Sequence, residues 1–239
     1  MESAKNITVC FTADQFIKFK DKLSTVVVVD LLRATSVIST AFEFGIKEVI
    51  PVLSIEEALS FKNKSNHIIA GERNTFKVEG FDYGNSPFHY MNADIVGKTL
   101  ALTTTNGTKA IHIAKEHKVI TASFVNLDAV VDYLINDNHD VIILCSGWKG
   151  LFNLEDSILA GALSERLISY NFESKCDSMY ASINLYNSSK NNLFKYLKNS
   201  AYRKRNTTEN VIRDTKFCLN PHIKSSIVPK FDNGRLIRS

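Results

Sequence analysis

The chain has 239 residues, 44% of them apolar, and a formal charge of +4. That length supports a sizeable core, in one large α/β domain or two small lobes. The mild, scattered positive charge speaks against nucleic acid as a partner and suits a small acidic ligand. No basic-then-apolar leader pattern is present and no apolar run approaches membrane length, so the expectation is a cytoplasmic protein with no membrane partner.

In chain order, Ile7-Thr8-Val9-Cys10-Phe11 reads as a strand. Val26 to Leu31 is a second, followed by a helix over Ala34 to Phe44 with Thr35 or Ser36 as its N-cap and Gly45 as its stop. Val49 to Leu53 is a third strand, and Ser54 caps SIEEALSF with Glu57 placed as in a capping box. His67 to Gly71, Thr99 to Thr103, Lys118 to Ala122 and Asp140 to Cys145 continue the strand series. Helices fill Gly107 to Lys115, Leu127 to Ile135 and Asn153 to Ser169. Residues 176 to 217 read as helical and polar, and IVPKFDNGRLI as a small hairpin turning at Asp232-Asn233-Gly234.

Strand-helix alternation with Val/Ile-rich strands predicts an α/β fold, a largely parallel sheet covered by helices on both faces, with a mostly helical C-terminal part. Residues 1–239 are expected to form a single domain, with about 172–217 as a helical lobe on the same core. The four cysteines have no CxxC or Cys/His metal spacing and read as free thiols, Cys145 as strand core. The six histidines show no metal-ligand spacing either. The run Tyr202-Arg203-Lys204-Arg205 reads as a solvated helix face.

Polar motifs collect just after the predicted strands. Asp30 and Arg33 follow the second, and Gly71-Glu72-Arg73 follows HIIA. Thr103-Thr104-Thr105-Asn106-Gly107 follows LAL; Ser146-Gly147-Trp148-Lys149-Gly150 follows VIILC, with Glu155-Asp156 soon after. Open parallel sheets bind ligands outside the carboxyl ends of their strands. Two of these ends launch helices, whose free N–H groups either are capped or face an anion. No GxxxxGK[ST] and no GxSxG occurs, which disfavours a nucleotide triphosphatase and a nucleophile-elbow hydrolase. The acids are hard oxygen donors of the type Mg²⁺ takes. Gly71 to Tyr90 mixes charge, aromatics and glycine without period and reads as a binding loop or lid, with Asn85-Ser86-Pro87 as a cap and helix start.

VVVVDLLRATSVI, GERNTFKVEGFDYGNSP, TTTNGTKAI and CSGWKGLFNLEDSILAGAL, in that order, resemble the 2-phosphosulfolactate phosphatase family from about residue 7 to Leu163, with weaker likeness in DTKFCLN and IVP. The resemblance implies an α/β enzyme that hydrolyses (R)-2-phospho-3-sulfolactate to sulfolactate and phosphate. It also implies Mg²⁺ and a place in coenzyme M synthesis in methanogens, although members occur in bacteria that do not make that coenzyme. Two departures stand out: Asn74-Thr75 replace two glycines common after Gly-Glu-Arg, and Trp148-Lys149 replace smaller residues.

On this reading Asp30, with Glu155 or Asp156 and with Glu72 as a further candidate, holds Mg²⁺. Asp30, Arg33 and Glu72 form the catalytic set, with Arg33 offering its planar fork to phosphate or sulfonate. Thr104, Thr105, Asn106 and the Gly107 N–H bind a second anionic group, closed over by Lys77. Asp30 is followed by Leu31-Leu32, not by the DxD pattern of aspartyl-phosphate enzymes, which favours water as nucleophile. The alternatives are a phosphatase of the same fold for another phosphorylated 2-hydroxy acid, and a non-catalytic protein that binds a small dianion. The Phe, Tyr and Leu residues of 180–200 are candidates for a homo-oligomer interface.

Overall fold

The computed structural model describes residues 3–19 and 23–239. Eleven strands form one sheet: β1 Lys5–Cys10, β2 Thr25–Val29, β3 Glu48–Pro51, β4 His67–Arg73, β5 Phe76–Lys77, β6 Thr99–Thr103, β7 Lys118–Ala122, β8 Val141–Cys145, β9 Phe172–Glu173, β10 Pro229–Asp232 and β11 Arg235–Arg238. Their order is β5-β4-β6-β3-β11-β10-β7-β2-β8-β1-β9. The helices are α1 Ala13–Phe16, α2 Ala34–Glu43, α3 Ile55–Leu59, α4 Gly107–Ala114, α5 Leu127–Asp137, α6 Leu154–Ile168, α7 Asp177–Ser189, α8 Leu193–Tyr196, α9 Ala201–Arg205 and α10 Glu209–Leu219.

The predicted α/β architecture holds. β2 lies between β7 and β8, parallel to both, with Val27 opposite Ile120 on one side and Ile143 on the other. Its valines alternate between faces, as the two-residue strand period requires. Val27 and Val29 join one apolar cluster with Val130, Leu134, Leu159 and Leu163 from α5 and α6. Val26 and Val28 join another with Val37, Phe42 and Ile111 from α2 and α4. Both faces are therefore covered, and a run of four valines is what a strand buried on both sides needs.

The hairpin at Asn233-Gly234 is present, both residues at positive φ. Its position was not foreseen. β10 pairs antiparallel with β7 through Lys230 and Ile120, and β11 pairs antiparallel with β3 through Leu236 and Val49. The hairpin thus joins two parallel half-sheets, β4-β6-β3 and β7-β2-β8-β1. From β4 to β2 is six steps in the strand order, roughly 29 Å across a flat sheet at ~4.8 Å per strand. Yet Thr105 bonds Glu72 at the end of β4, while Gly107 packs on Asp30 at the end of β2. The two residues from Thr105 to Gly107 span at most about 7 Å, so the sheet curls and brings its two halves' carboxyl ends together.

The segment 71–90 is more regular than its composition indicates. β4 runs on to Arg73, turns back into β5, and Pro87–Tyr90 form a 3₁₀ turn with Pro at its start. α7 seats on α6 at Gly161, where an added Cβ would lie 2.0 Å from the Ser182 carbonyl oxygen. Only glycine permits that approach.

Candidate active site

Asp30 leaves the end of β2 buried, 9% exposed. Helix α2 begins at Ala34, as expected, but its N-cap is Arg33, not Thr35 or Ser36. Those hydroxyls serve the turn before it. Thr35 Oγ1 accepts the Asp30 N–H at 3.2 Å, and the Ser36 hydroxyl donates to the Leu31 carbonyl at 2.9 Å. The first turn is fastened back onto the strand it follows, and the Ala34 N–H points at Asp30 Oδ1, 3.3 Å away.

Four buried acids share this end of the sheet. Asp156 Oδ1 accepts the Leu31 N–H at 2.9 Å, and its Oδ2 accepts the Gly147 N–H at 3.1 Å and Asn153 Nδ2 at 3.0 Å. It ties the ends of β2 and β8 to the start of α6. Glu72 does the same between β4 and β6: Oε1 accepts the Thr105 N–H and hydroxyl at 2.9 and 2.8 Å, and Oε2 accepts the Thr75 N–H at 2.9 Å. Asp30 and Glu155 have fewer donors around them. Burial first, then Asp156 and more weakly Glu72, pushes Asp30 up to about 8, against the N–H groups of Ala34 and Gly107. Burial and Glu155 raise Asp156 to about 7, and burial raises Glu155 to about 7 although Arg205 opposes it.

Arg33 faces the acids, 5% exposed. Burial works against its charge, but Tyr202 and Asp214 outweigh burial and raise its pKa further. Nη1 is ion-paired with the buried Asp214 carboxylate, and Nη2 donates to the Thr75 carbonyl at 3.1 Å. Three of the guanidinium's five N–H donors stay free for a ligand. Ser86 donates to the other Asp214 oxygen at 2.7 Å; no side-chain cap bond forms at the 3₁₀ turn it precedes.

Two cavities meet at Arg33. A narrow crevice of about 20 Å³ is lined by Asp30, Glu72, Arg33, Asn106, Trp148 and Tyr202 among others. A wider one of about 310 Å³ is lined by Arg33, Lys77, His89, Arg213 and Asp214 with neighbouring polar residues. Arg33, Thr75 and Asn85 belong to both linings.

The predicted site residues are thus only partly brought together. Gly107 presses on Asp30: an added Cβ would sit 2.8 Å from Oδ2 and 2.7 Å from Ala34 Cβ. Asn106 is the α4 N-cap but makes no side-chain cap bond; its Oδ1 accepts the Lys149 N–H. Thr104 spends its hydroxyl on Thr108 and Thr105 spends its own on Glu72, and neither lines either of these two cavities. Lys77 lines the wider cavity and donates to the Phe81 carbonyl.

Asp214, Asn85 and Tyr202 were not singled out as site residues from sequence. Asp214 lies in a polar helical stretch, with no local sign that it pairs with a residue 181 positions away. The run Tyr202–Arg205 is only in part a solvated face: Lys204 and Arg205 are exposed, but Tyr202 is buried, Arg203 stacks on Phe194 and Arg205 lies 4.3 Å from the Trp148 ring centroid. Asn74 and Thr75 both take positive φ, 52° and 70°. That is why glycine suits these positions, and why a β-branched residue there is strained.

Among the described residues, no three His, Cys, Asp or Glu side chains converge to cage a metal ion. Mg²⁺ asks for less, one or two carboxylates with waters and substrate oxygens making up the rest. Asp30 and Glu155 fit that demand in kind, being buried hard donors whose crowding a cation would relieve.

A sheet-end crevice that sets buried acids against a buried arginine on an α/β fold is the arrangement that open parallel sheets use for small ligands. A family model described as 2-phosphosulpholactate phosphatase matches residues 10–234. A "Probable 2-phosphosulfolactate phosphatase" of Caldanaerobacter subterraneus subsp. tengcongensis is 43% identical over 218 residues, covering 89% of this chain and 90% of that protein. Proteins of the same description from Thermotoga petrophila and Clostridium tetani are 43% and 39% identical, covering 89% and 96% of this chain and 91% and 98% of their own length. The chain belongs to the 2-phosphosulfolactate phosphatase family, as its four motifs lead one to expect.

Proposed function

We propose that this protein is a Mg²⁺-dependent phosphomonoesterase that hydrolyses (R)-2-phospho-3-sulfolactate to 3-sulfolactate and phosphate. The observation that carries the proposal is the shared wall at Arg33, with an acid-lined crevice on one side and a cation-lined cavity on the other. Mg²⁺, when bound, supplies charge neutralisation at the phosphoryl group and a more acidic water. Asp30 and Glu155 would hold it, with Asp156 fixing the loops that carry them and Glu72 fixing the Thr105 loop.

Phosphoryl transfer asks mainly for positioning and charge stabilisation. Arg33 meets the phosphoryl oxygens with its free N–H donors, and its own position is set by Asp214 and Thr75. The Gly107 N–H, directed at Asp30, orients that carboxylate. A water oxygen attacks phosphorus, the P–O bond to the substrate carbon breaks, and the water's proton passes to the leaving alkoxide. Water rather than a carboxylate is assigned as nucleophile because Asp30 has no second aspartate two residues on.

We also place the protein in the cytosol, consistent with four free cysteines and no helix among the described residues long and apolar enough to cross a membrane. Exposed Tyr180 and Tyr196 keep a homo-oligomer contact within the same proposal. The test is a panel of phosphorylated 2-hydroxy acids assayed for phosphate release with and without EDTA. EDTA-sensitive release from the sulfonated ester is the expected result. EDTA-resistant release overturns the metal assignment, release only from other esters moves the substrate, and binding without release leaves a dianion-binding protein.

A further inference from the structure

We infer that the 310 Å³ cavity is the specificity half of the site, and that Arg213 on α10 is the residue that reads an acidic tail on the substrate. The inference rests on the phosphatase reading above and adds to it where the non-reacting end of the ester lies and what it must carry.

The two cavities have opposite character. The crevice presents Asp30 and Glu72 against one cation, Arg33. The wider cavity presents Arg33, Lys77 and Arg213 against one carboxylate, Asp214, which is already spent on Arg33 and Ser86. Cancelling Arg33 against Asp214 leaves two cations there, Lys77 and Arg213, with His89 beside them. Lys77 has one N–H on the Phe81 carbonyl and two in reserve. Arg213 has no carboxylate partner among the described residues, and its guanidinium rests 4.3 Å from the Phe88 ring centroid. Stacking on a ring holds the fork in place while its N–H edges stay free, the arrangement that suits a sulfonate or carboxylate.

Asn85 marks the junction. It is 6% exposed, lines both cavities, and its Oδ1 has no hydrogen-bond partner among the described residues. A buried amide without a partner is costly unless a ligand completes it, and the amide turned over offers its NH₂ to an anion. A 2-phosphorylated acid with a sulfonate on C3 places the phosphate against Arg33 at the crevice and the sulfonate against Arg213 and Lys77. An ester with an uncharged tail leaves those cations unanswered.

The experiment compares 2-phospho-3-sulfolactate with 2-phospholactate, which lacks only the sulfonate, on wild type, Arg213→Ala and Lys216→Ala. Lys216 shares α10 and lines a neighbouring cleft, which Arg213 and Phe88 also border, but not the wider cavity. Arg213→Ala is expected to raise KM for the sulfonated ester roughly tenfold or more, by loss of a charge-assisted contact, with kcat within about threefold and little change for 2-phospholactate. Lys216→Ala leaves both esters unchanged. Equal effects of Arg213→Ala on the two esters, or none, overturn the inference. If wild type hydrolyses neither ester, the phosphatase reading fails separately. Calorimetric titration of both esters in EDTA then decides the subsite, which stands if Arg213→Ala weakens only the sulfonated one and falls otherwise.

Discussion

The two walls of the site are built by different means. The acid wall stands on strand ends and is held mostly by backbone: Asp156 takes N–H groups from Leu31 and Gly147, and Glu72 takes those from Thr75 and Thr105. The arginine wall stands on side chains from far along the chain: Arg33 on Asp214 of α10, Asp214 on Ser86, and Tyr202 of α9 beside them. A wall made of backbone donors tolerates change in its neighbours, because each carboxylate keeps several partners. A wall made of one buried ion pair does not, since removing either partner strands the other charge away from water.

That difference should show most strongly at Asp214. Asp214→Ala is expected to destabilise the fold by about 3–5 kcal/mol, the usual cost of leaving a buried charge unpaired. Urea unfolding reads this, and a loss below about 1 kcal/mol would mean the pair is not closed off from solvent. Arg33→Ala should cost about 3 kcal/mol in kcat/KM, comparable with losing one oxyanion donor. Activity within twofold of wild type would remove Arg33 from the mechanism.

On the acid wall, Gly107→Ala sets a Cβ 2.8 Å from Asp30 Oδ2. A displacement of Asp30 by even about 1 Å is expected to lower kcat roughly a hundredfold, with far less effect on stability than Asp214→Ala. Equal losses in both would erase the contrast between the walls.

A pH titration of the metal-free protein probes the acids themselves. Asp30, Asp156 and Glu155 have folded pKa values raised to about 8, 7 and 7 from ordinary values near 4. The folded state therefore holds protons that the unfolded state releases, and stability falls as pH rises. Their full contribution is present below about pH 4 and is lost by about pH 8. Denaturation midpoints in EDTA should drop between pH 5 and 8.5 and recover with Mg²⁺ at the upper end. A flat profile would mean that the acids are not crowded together. The smallest effect is at Thr75: replacing a β-branched residue at φ 70° by glycine removes strain on the order of 1 kcal/mol. Thr75→Gly should leave stability unchanged or slightly raised, since its N–H to Glu72 and carbonyl to Arg33 are both backbone groups. A clear loss would show that the threonine methyl packs.

The acid wall was largely legible in the sequence. A carboxylate ending a run of valines has to leave the core at a sheet end, and Asp30, Glu72, Glu155 and Asp156 could all be placed by counting strands. The N-cap of α2 was misassigned because Thr35 and Ser36 look like caps, whereas their hydroxyls bond the strand-end backbone and Arg33 is the cap. The hairpin was visible at Asn233-Gly234, but nothing local tells a strand pair which neighbours it will take. Asp214 was invisible for the same reason, because an ion pair across 181 residues has no period. Thr104 and Thr105 looked like anion ligands from type and spacing alone, yet the Thr104 hydroxyl closes a local bond with Thr108 and the Thr105 hydroxyl bonds Glu72 of β4.

The hairpin β10–β11 carries a consequence for how the chain is made. It is the last pair of strands in sequence and sits at the middle of the sheet. While a ribosome has released residues only up to about 225, β3 and β7 each present an edge with no strand beside it. Open edges of this kind recruit foreign strands. The nascent chain therefore carries open edges inside the future protein rather than at its rim, until β10 and β11 emerge to cover them.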